Sequence, residues 1–267
     1  DEIMDISKRY GIPVIEDNAE CFNSTYKGNM VGTIGAMASY SFENSKHLSC
    51  GEGGILITND SGYAMRARKV GGHGFKNLQA DEGRVKADLD VFQDPNYKRH
   101  DTIGWNYRLS EFLSAIALAQ LERLDELVKM RENSARIFID AVEDCPYLQP
   151  QHTPEYSSNS YWSLGIKYLG EDMIGVPWQD FRKKYMQNGG DGIYGAWSVP
   201  YLEPVMAERN FVTRMPSIYG DIKYHKGMCP VAEKIQSQMM VFKTKYRLCL
   251  WARFNKRRIC KRIFCQK

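Results

Sequence analysis

The sequence lacks any apolar run of the roughly 18 residues needed to cross a membrane, and no basic stretch followed by an apolar segment and a cleavage site marks a secretory leader. Cysteine is present but unorganised. The seven cysteines are odd in number and scattered, with no C-x-x-C pair and no histidines at zinc-ligand spacing, which argues for free thiols and against a disulfide framework or metal site. Acidic residues are missing from Val241 to Lys267, a stretch that holds ten Lys or Arg. The residues before it carry 26 basic against 32 acidic groups, about −6, so the formal charge of +4 belongs to the tail alone. These absences predict a cytoplasmic globular protein with no membrane or nucleic-acid partner.

What is present is a chain of 267 residues, 43% hydrophobic and 12% aromatic, long enough for one large core or two smaller ones. It opens at Asp1 directly into a helix-like segment that runs to Tyr10 and stops at Gly11, so it is expected to begin inside a domain. Short apolar strands follow at Ile12–Ile15, Gly35–Phe42 and Gly54–Thr58, the last closed by the turn residues Asn59-Asp-Ser-Gly62. Strands this short with helices between them indicate an α/β layer with functional groups at the strand ends. Ser61–Val70 reads as helix, and Gly71 to about Gly104 as a long polar loop of the kind that carries function. From Ser110 to Val142, apolar residues recur at three- and four-residue steps behind a serine cap, predicting one helix of about 50 Å that joins two domains. After Pro146 the composition turns to Pro, Gln, His and Ser, with a strand expected at Tyr161–Tyr168 and a helix at Gln179–Gln187. The expected domains are 1–145, ending in the linking helix of about 110–142; a smaller α+β domain over 146–245; and a basic tail over 246–267.

Three stretches carry chemistry when taken together. Asp17, at the end of a strand, would singly be a turn carboxylate. Lys46 alone would be a solvated lysine, and Gly51-Glu-Gly-Gly54 alone a turn. A carboxylate after one strand and a Ser-x-x-x-x-Lys after another meet the needs of pyridoxal 5'-phosphate: an amine for a Schiff base, a carboxylate to keep the pyridine nitrogen protonated, and hydroxyl donors for the phosphate. Lys46, Asp17 and Ser41 can fill these roles.

At these residues the sequence resembles the DegT/DnrJ/EryC1/StrS aminotransferases. The resemblance runs through Glu16-Asp-Asn-Ala-Glu20, Tyr26-Lys-Gly28, Val31-Gly-Thr-Ile-Gly35, Ser41-Phe42 with Lys46, Gly51-Glu-Gly-Gly54 and Gly104-Trp-Asn-Tyr-Arg-Leu109. It covers about residues 1–245, densely to 140. It implies part of a fold type I large domain, an α/β/α sheet, followed by a smaller α+β C-terminal domain, with the N-terminal part of the large domain missing from this chain. The activity implied is transfer of an amino group from glutamate or glutamine to a keto-sugar nucleotide or keto-cyclitol, in amino-sugar or polysaccharide biosynthesis, by a homodimer with shared active sites. By position Lys46 matches the Schiff-base lysine, Asp17 the pyridine-nitrogen partner and Ser41 a phosphate ligand. Asn106 matches an asparagine reaching the neighbouring subunit's cofactor. Glu20 falls where the family usually has Gln beside the ring, and a carboxylate accepts but does not donate unless protonated.

Two other readings stand beside this one: a non-catalytic fragment or pseudoenzyme of the same fold, and a pyridoxal-phosphate sugar dehydratase, the family subset with histidine in place of the lysine. Lys46 is kept here and His47 lies one place off, which favours amino transfer. Weaker candidates are His73, more often a solvated loop histidine, Cys229-Pro230 with Ala232-Glu233, which resembles a family segment but reads mainly as packing, and the aromatics Tyr194, Trp197 and Tyr201, equally open to a sugar-lining or a core role. The tail reads either as a basic amphipathic helix or as a frameshifted end of the gene.

Overall fold

The computed structural model describes residues 1–190, 192–210 and 222–244. The basic tail lies outside the described residues. The chain divides into two compact units, one of Asp1–Lys129 with Thr153–Trp162, the other of Met130–His152 with the residues from Ser163 on.

The first unit opens with α1 (Glu2–Tyr10), stopped by Gly11 in the left-handed conformation. Strands β1 (Ile15–Asp17), β4 (Met37–Ser41) and β5 (Gly54–Ile57) form a sheet in the order β1-β4-β5, while β2 (Thr25–Tyr26) and β3 (Asn29–Met30) form a small hairpin between them. β1 runs parallel to β4, with Glu16 opposite Ala38 and Asp17 opposite Ser39. β5 returns antiparallel, Gly54 facing Ser41. The first strand therefore begins at Ile15 rather than Ile12 and includes the acidic pair. Pro13 has no N–H to offer a ladder, and regular pairing starts only after it.

Helix α2 (Ser61–Gly71) is capped by Asp60, whose side chain accepts from the Tyr63 N–H at 2.8 Å. The polar stretch after it is more ordered than its composition implies. It holds a hairpin of β6 (Leu78–Gln79) and β7 (Gly83–Arg84) and a short helix, α3 (Leu89–Gln93). Its return is tied down by N–H donation from Trp105 to the Val70 carbonyl (2.7 Å) and from Tyr107 to the Gly71 carbonyl (2.8 Å), with a Lys69–Asp101 ion pair beside them.

The single helix expected over Ser110–Val142 is two, α4 (Glu111–Leu121) and α5 (Leu124–Val142). A tight turn, with the Arg123 N–H bonded three residues back to the Gln120 carbonyl, separates them. Neither Gly nor Pro marks the break. Leu124 and Val128 after the turn are buried with Phe22 and Leu48, and Tyr40 and Phe42 rest on this cluster.

Segment 153–162 is stitched into the same unit. The Lys27 N–H donates to the Tyr156 carbonyl (2.8 Å), the Ser158 N–H to the Thr25 carbonyl (3.0 Å) and the Ser160 N–H to Ser24 Oγ (3.0 Å).

In the second unit β8 (Leu148–Pro150), β9 (Ser163–Tyr168), β10 (Tyr194–Gly195) and β11 (Met239–Lys243) form an antiparallel sheet in the order β10-β11-β9-β8. Helices α6 (Gly170–Ile174), α7 (Trp178–Gln187), α8 (Pro204–Ala207) and α9 (Pro230–Gln236) accompany it. Alternation along β9 buries Leu164, Ile166 and Tyr168, and Met240 and Phe242 of β11 lie opposite the first two. Phe181 and Tyr185, four apart on α7, complete that core.

Candidate active site

Adjacent parallel strands end side by side, and Asp17 and Ser41 sit at those ends. Asp17 closes β1. Its Oδ1 accepts from the Ala19 N–H at 3.1 Å, which fixes the carboxylate just past the strand. Ser41 closes β4, and its hydroxyl oxygen accepts from the Glu43 N–H at 3.2 Å, leaving the hydroxyl proton to donate.

The turn that follows is held by its own side chains. The Glu43 carboxylate accepts from the Ser45 N–H (3.0 Å) and hydroxyl (2.5 Å), while the Lys46 N–H donates to the Glu43 carbonyl (3.1 Å). The Ser45 hydrogen bonds, side chain first, keep the Glu43 carboxyl below its ordinary range, with Lys46 adding to the effect. A carboxylate caged in this way holds the turn in one shape and aims Lys46.

The Lys46 amine lies 2.9 Å from Oε1 of Glu20 and 4.6 Å from the centre of the Trp162 ring. The indole N–H of Trp162 donates to the Ser45 carbonyl at 3.0 Å, so the ring is anchored to the turn it covers. The Lys46–Glu20 contact joins the segments that follow β1 and β4, bringing together the neighbourhoods of Asp17 and Ser41. His47 is engaged elsewhere. It is buried, with Nε2 3.0 Å from the Ser160 carbonyl and its ring against Phe22, a core residue and no substitute for the lysine.

Glu16 acts on the loop before β4. Its Oε1 accepts from the N–H groups of Ile34 (2.8 Å) and Gly35 (2.6 Å), and Oε2 from Gly32 (2.6 Å). Tyr40 closes the loop from the other end, donating to the Val31 carbonyl at 2.8 Å. Gly32, at φ +91, meets both demands of the site: a β-carbon there would overlap the Tyr40 hydroxyl and strain the backbone.

Asn106 stands apart from this cluster. It bridges to Gly72 in the return of the long loop, where its side-chain oxygen accepts from Nε of Arg108 at 2.8 Å, and Arg108 also meets Nε2 of His73 at 2.9 Å. In the second unit Tyr201 donates to Glu233, and the Cys229 and Gly227 N–H groups bond Tyr201 Oη (3.1 Å) and Glu233 Oε1 (2.6 Å), which makes that group a local brace. Glu16, Glu43 and Trp162 were not found from sequence. A Glu-x-Ser spacing marks Glu43 in retrospect, whereas Trp162 stands 117 positions from the carbonyl it binds and carries no local signal.

The mixed α/β fold of the chain is that of the fold type I pyridoxal-phosphate proteins. The chain belongs to the DegT/DnrJ/EryC1/StrS aminotransferase family, whose sequence profile matches residues 1–250. Among solved structures it is similar to an aminotransferase from Psychrobacter cryohalolentis, at 22% identity and TM-score 0.79 over 98% of this chain and 64% of that one. It is also similar to Helicobacter pylori PseC, an aminotransferase involved in the biosynthesis of pseudoaminic acid (20% identity, TM-score 0.71, 99% of this chain, 63% of that one). A third similar structure is the E. coli GDP-4-keto-6-deoxy-D-mannose-3-dehydratase with bound hydrated PLP (22% identity, TM-score 0.70, 96% of this chain, 64% of that one). The chain thus spans less than two thirds of the length of each of these structures.

Proposed function

We propose that this chain carries the lysine-bearing site of a pyridoxal-phosphate aminotransferase that moves an amino group from glutamate or glutamine to a keto-sugar nucleotide or keto-cyclitol. The observation that carries the reading is the Lys46 amine, held between Glu20 and Trp162 on the turn after β4, while Asp17 closes the adjacent strand β1 and Ser41 closes β4. The donor set fits the cofactor: an amine to join its aldehyde, a carboxylate for its ring nitrogen and a hydroxyl for its phosphate. When bound, the cofactor supplies an electron sink for the carbon whose amino group is exchanged.

The chain's own residues do the rest. Asp17 would hold a proton at the ring nitrogen, Ser41 would donate its hydroxyl to the phosphate, and Lys46 would hold and release the proton that the transfer moves. Glu20 would lie beside the ring. Asn106, on a separate loop, is available to a second subunit's phosphate, which supports a homodimer with interdependent sites. Nucleotide-linked substrates are consistent with a cytoplasmic reaction, within amino-sugar or cell-surface polysaccharide biosynthesis. Lys46 in the site and His47 in the core favour amino transfer over the dehydration named for the E. coli relative.

The test is the visible absorbance of the purified chain with added pyridoxal phosphate. The wild type is expected to develop a band that Lys46→Ala abolishes. An unchanged spectrum in the variant would sink the assignment. A panel of keto-sugar nucleotides with glutamate or glutamine then identifies the substrate.

A further inference from the structure

An amine condenses with an aldehyde only as the free base, and a lysine at neutral pH is an ammonium. The amine of Lys46 must be in that form to hold a carbonyl cofactor, and one of the groups around it is placed to exchange a proton with it. The lysine side chain is 13% exposed, so bulk water reaches little of it. Trp162 faces the amine with an aromatic ring, and its one polar group is an N–H donor already committed to Ser45. The Glu43 carboxylate is engaged by Ser45. Glu20 Oε1 lies 2.9 Å from Nζ, within direct proton-transfer distance, and at 53% exposure its side chain is open to solvent.

We propose that Glu20 is the proton carrier for the loading of Lys46, a catalytic role beyond lying beside the ring. The proposal rests on the reading of Lys46 as the cofactor-bearing lysine. Glu20 takes one proton from the ammonium. The amine nitrogen then bonds to the aldehyde carbon as the carbonyl pair moves to oxygen, and a second nitrogen proton passes to that oxygen. Glu20 returns its proton to the same oxygen, the carbon–oxygen bond breaks, and water leaves as the carbon–nitrogen double bond forms. Ammonium and aldehyde become a protonated carbon–nitrogen double bond and one water, Glu20 ends as the carboxylate it began as, and no oxidant or reductant is needed. A glutamine at position 20 would keep a contact with the amine but could not carry the proton.

The experiment uses the full chain and pyridoxal phosphate. The rise of the visible band is followed by stopped flow, and the adduct is fixed with borohydride and located by peptide mass spectrometry. Glu20→Gln is expected to load about 100-fold more slowly, the low end for a positioned acid–base group, with the adduct still on Lys46. In Glu20→Ala, added formate or acetate is expected to restore the rate in proportion to its concentration, a response that a merely structural role would not give. Circular dichroism of both variants confirms folding. Loading of Glu20→Gln at the wild-type rate, or a slow Glu20→Ala that ignores added carboxylate, overturns the proposal and leaves the cofactor reading intact. A wild type with no adduct on Lys46 overturns the cofactor reading and this proposal with it.

Discussion

Replacing Glu16 by glutamine keeps the side chain's shape and removes only its charge and half its acceptors. In the native chain three backbone N–H groups converge on that carboxylate, two on Oε1 and one on Oε2. Hydrogen bonds to a charged acceptor contribute about 1.5–3 kcal/mol each and neutral ones about 1. With the amide oxygen at the Oε1 position, the bonds from Ile34 and Gly35 survive in weakened form. The Gly32 N–H then faces an NH2 group and loses its partner. One lost and two weakened bonds, discounted because the carboxylate is only half-buried, come to about 3 kcal/mol, or roughly a hundredfold in an opening equilibrium. Hydrogen exchange by mass spectrometry over residues 31–36 reads this directly, because opening of that loop frees the amides that Glu16 binds. Residues 163–168 in the other unit serve as the unaffected reference. A variant that stays folded and exchanges over 31–36 within threefold of the wild type would refute the claim that Glu16 holds the loop.

Two further predictions concern pH. Burial first, then the Glu171 carboxylate, pushes the Tyr168 phenol from 10.0 up to about 12, so the folded chain keeps a proton that the unfolded chain loses. Its contribution to stability is intact below pH 10 and is lost as pH rises through that window. Tyr168→Phe, which also gives up the 2.8 Å bond to the Val176 carbonyl, should be about 1 kcal/mol less stable at neutral pH and show a flatter decline above pH 10 in urea titrations; parallel curves would contradict this. The Glu43 carboxyl is shifted down, so its hold on the lysine-bearing turn is present above its ordinary value of 4.5 and is lost as acid protonates it below that value. Ser45→Ala should move the onset of that loss to higher pH, followed by the fluorescence that Trp162→Phe removes, and an unmoved onset would count against the brace.

The part of the candidate site legible in the sequence lay in short motifs. Asp17, Ser41 and Lys46 became candidates through their combination, because strand ends and short spacings are local properties of a sequence. Glu16 was visible only as the first residue of the Glu16–Glu20 motif, since the three amides it binds belong to a loop whose path the sequence does not show. Trp162 could not be foreseen, because it reaches the lysine turn only after segment 153–162 has folded back onto the first unit. The helix break at Glu122–Arg123 escaped for a related reason. Its residues are good helix formers, and the change of direction comes with the burial of Leu124 and Val128 against Phe22 and Leu48. The long polar stretch hid its order because two-residue strands and ring–guanidinium contacts, such as Arg84 over Phe75, leave no periodic trace.

Glu16 and Asp17 are neighbours on a strand whose side chains alternate, so consecutive carboxylates go to opposite faces of the sheet. One is spent on the fold and the other is left for the proposed chemistry. The pair works as a parity bit: a slip of β1 by one residue against β4 would send the shorter carboxylate to the loop amides and the longer one to the chemical face, spoiling both tasks at once. Exchanging the two residues would write the same error into the sequence without moving the backbone. The phase of this three-residue strand, more than its length, decides whether the chain has a site at all.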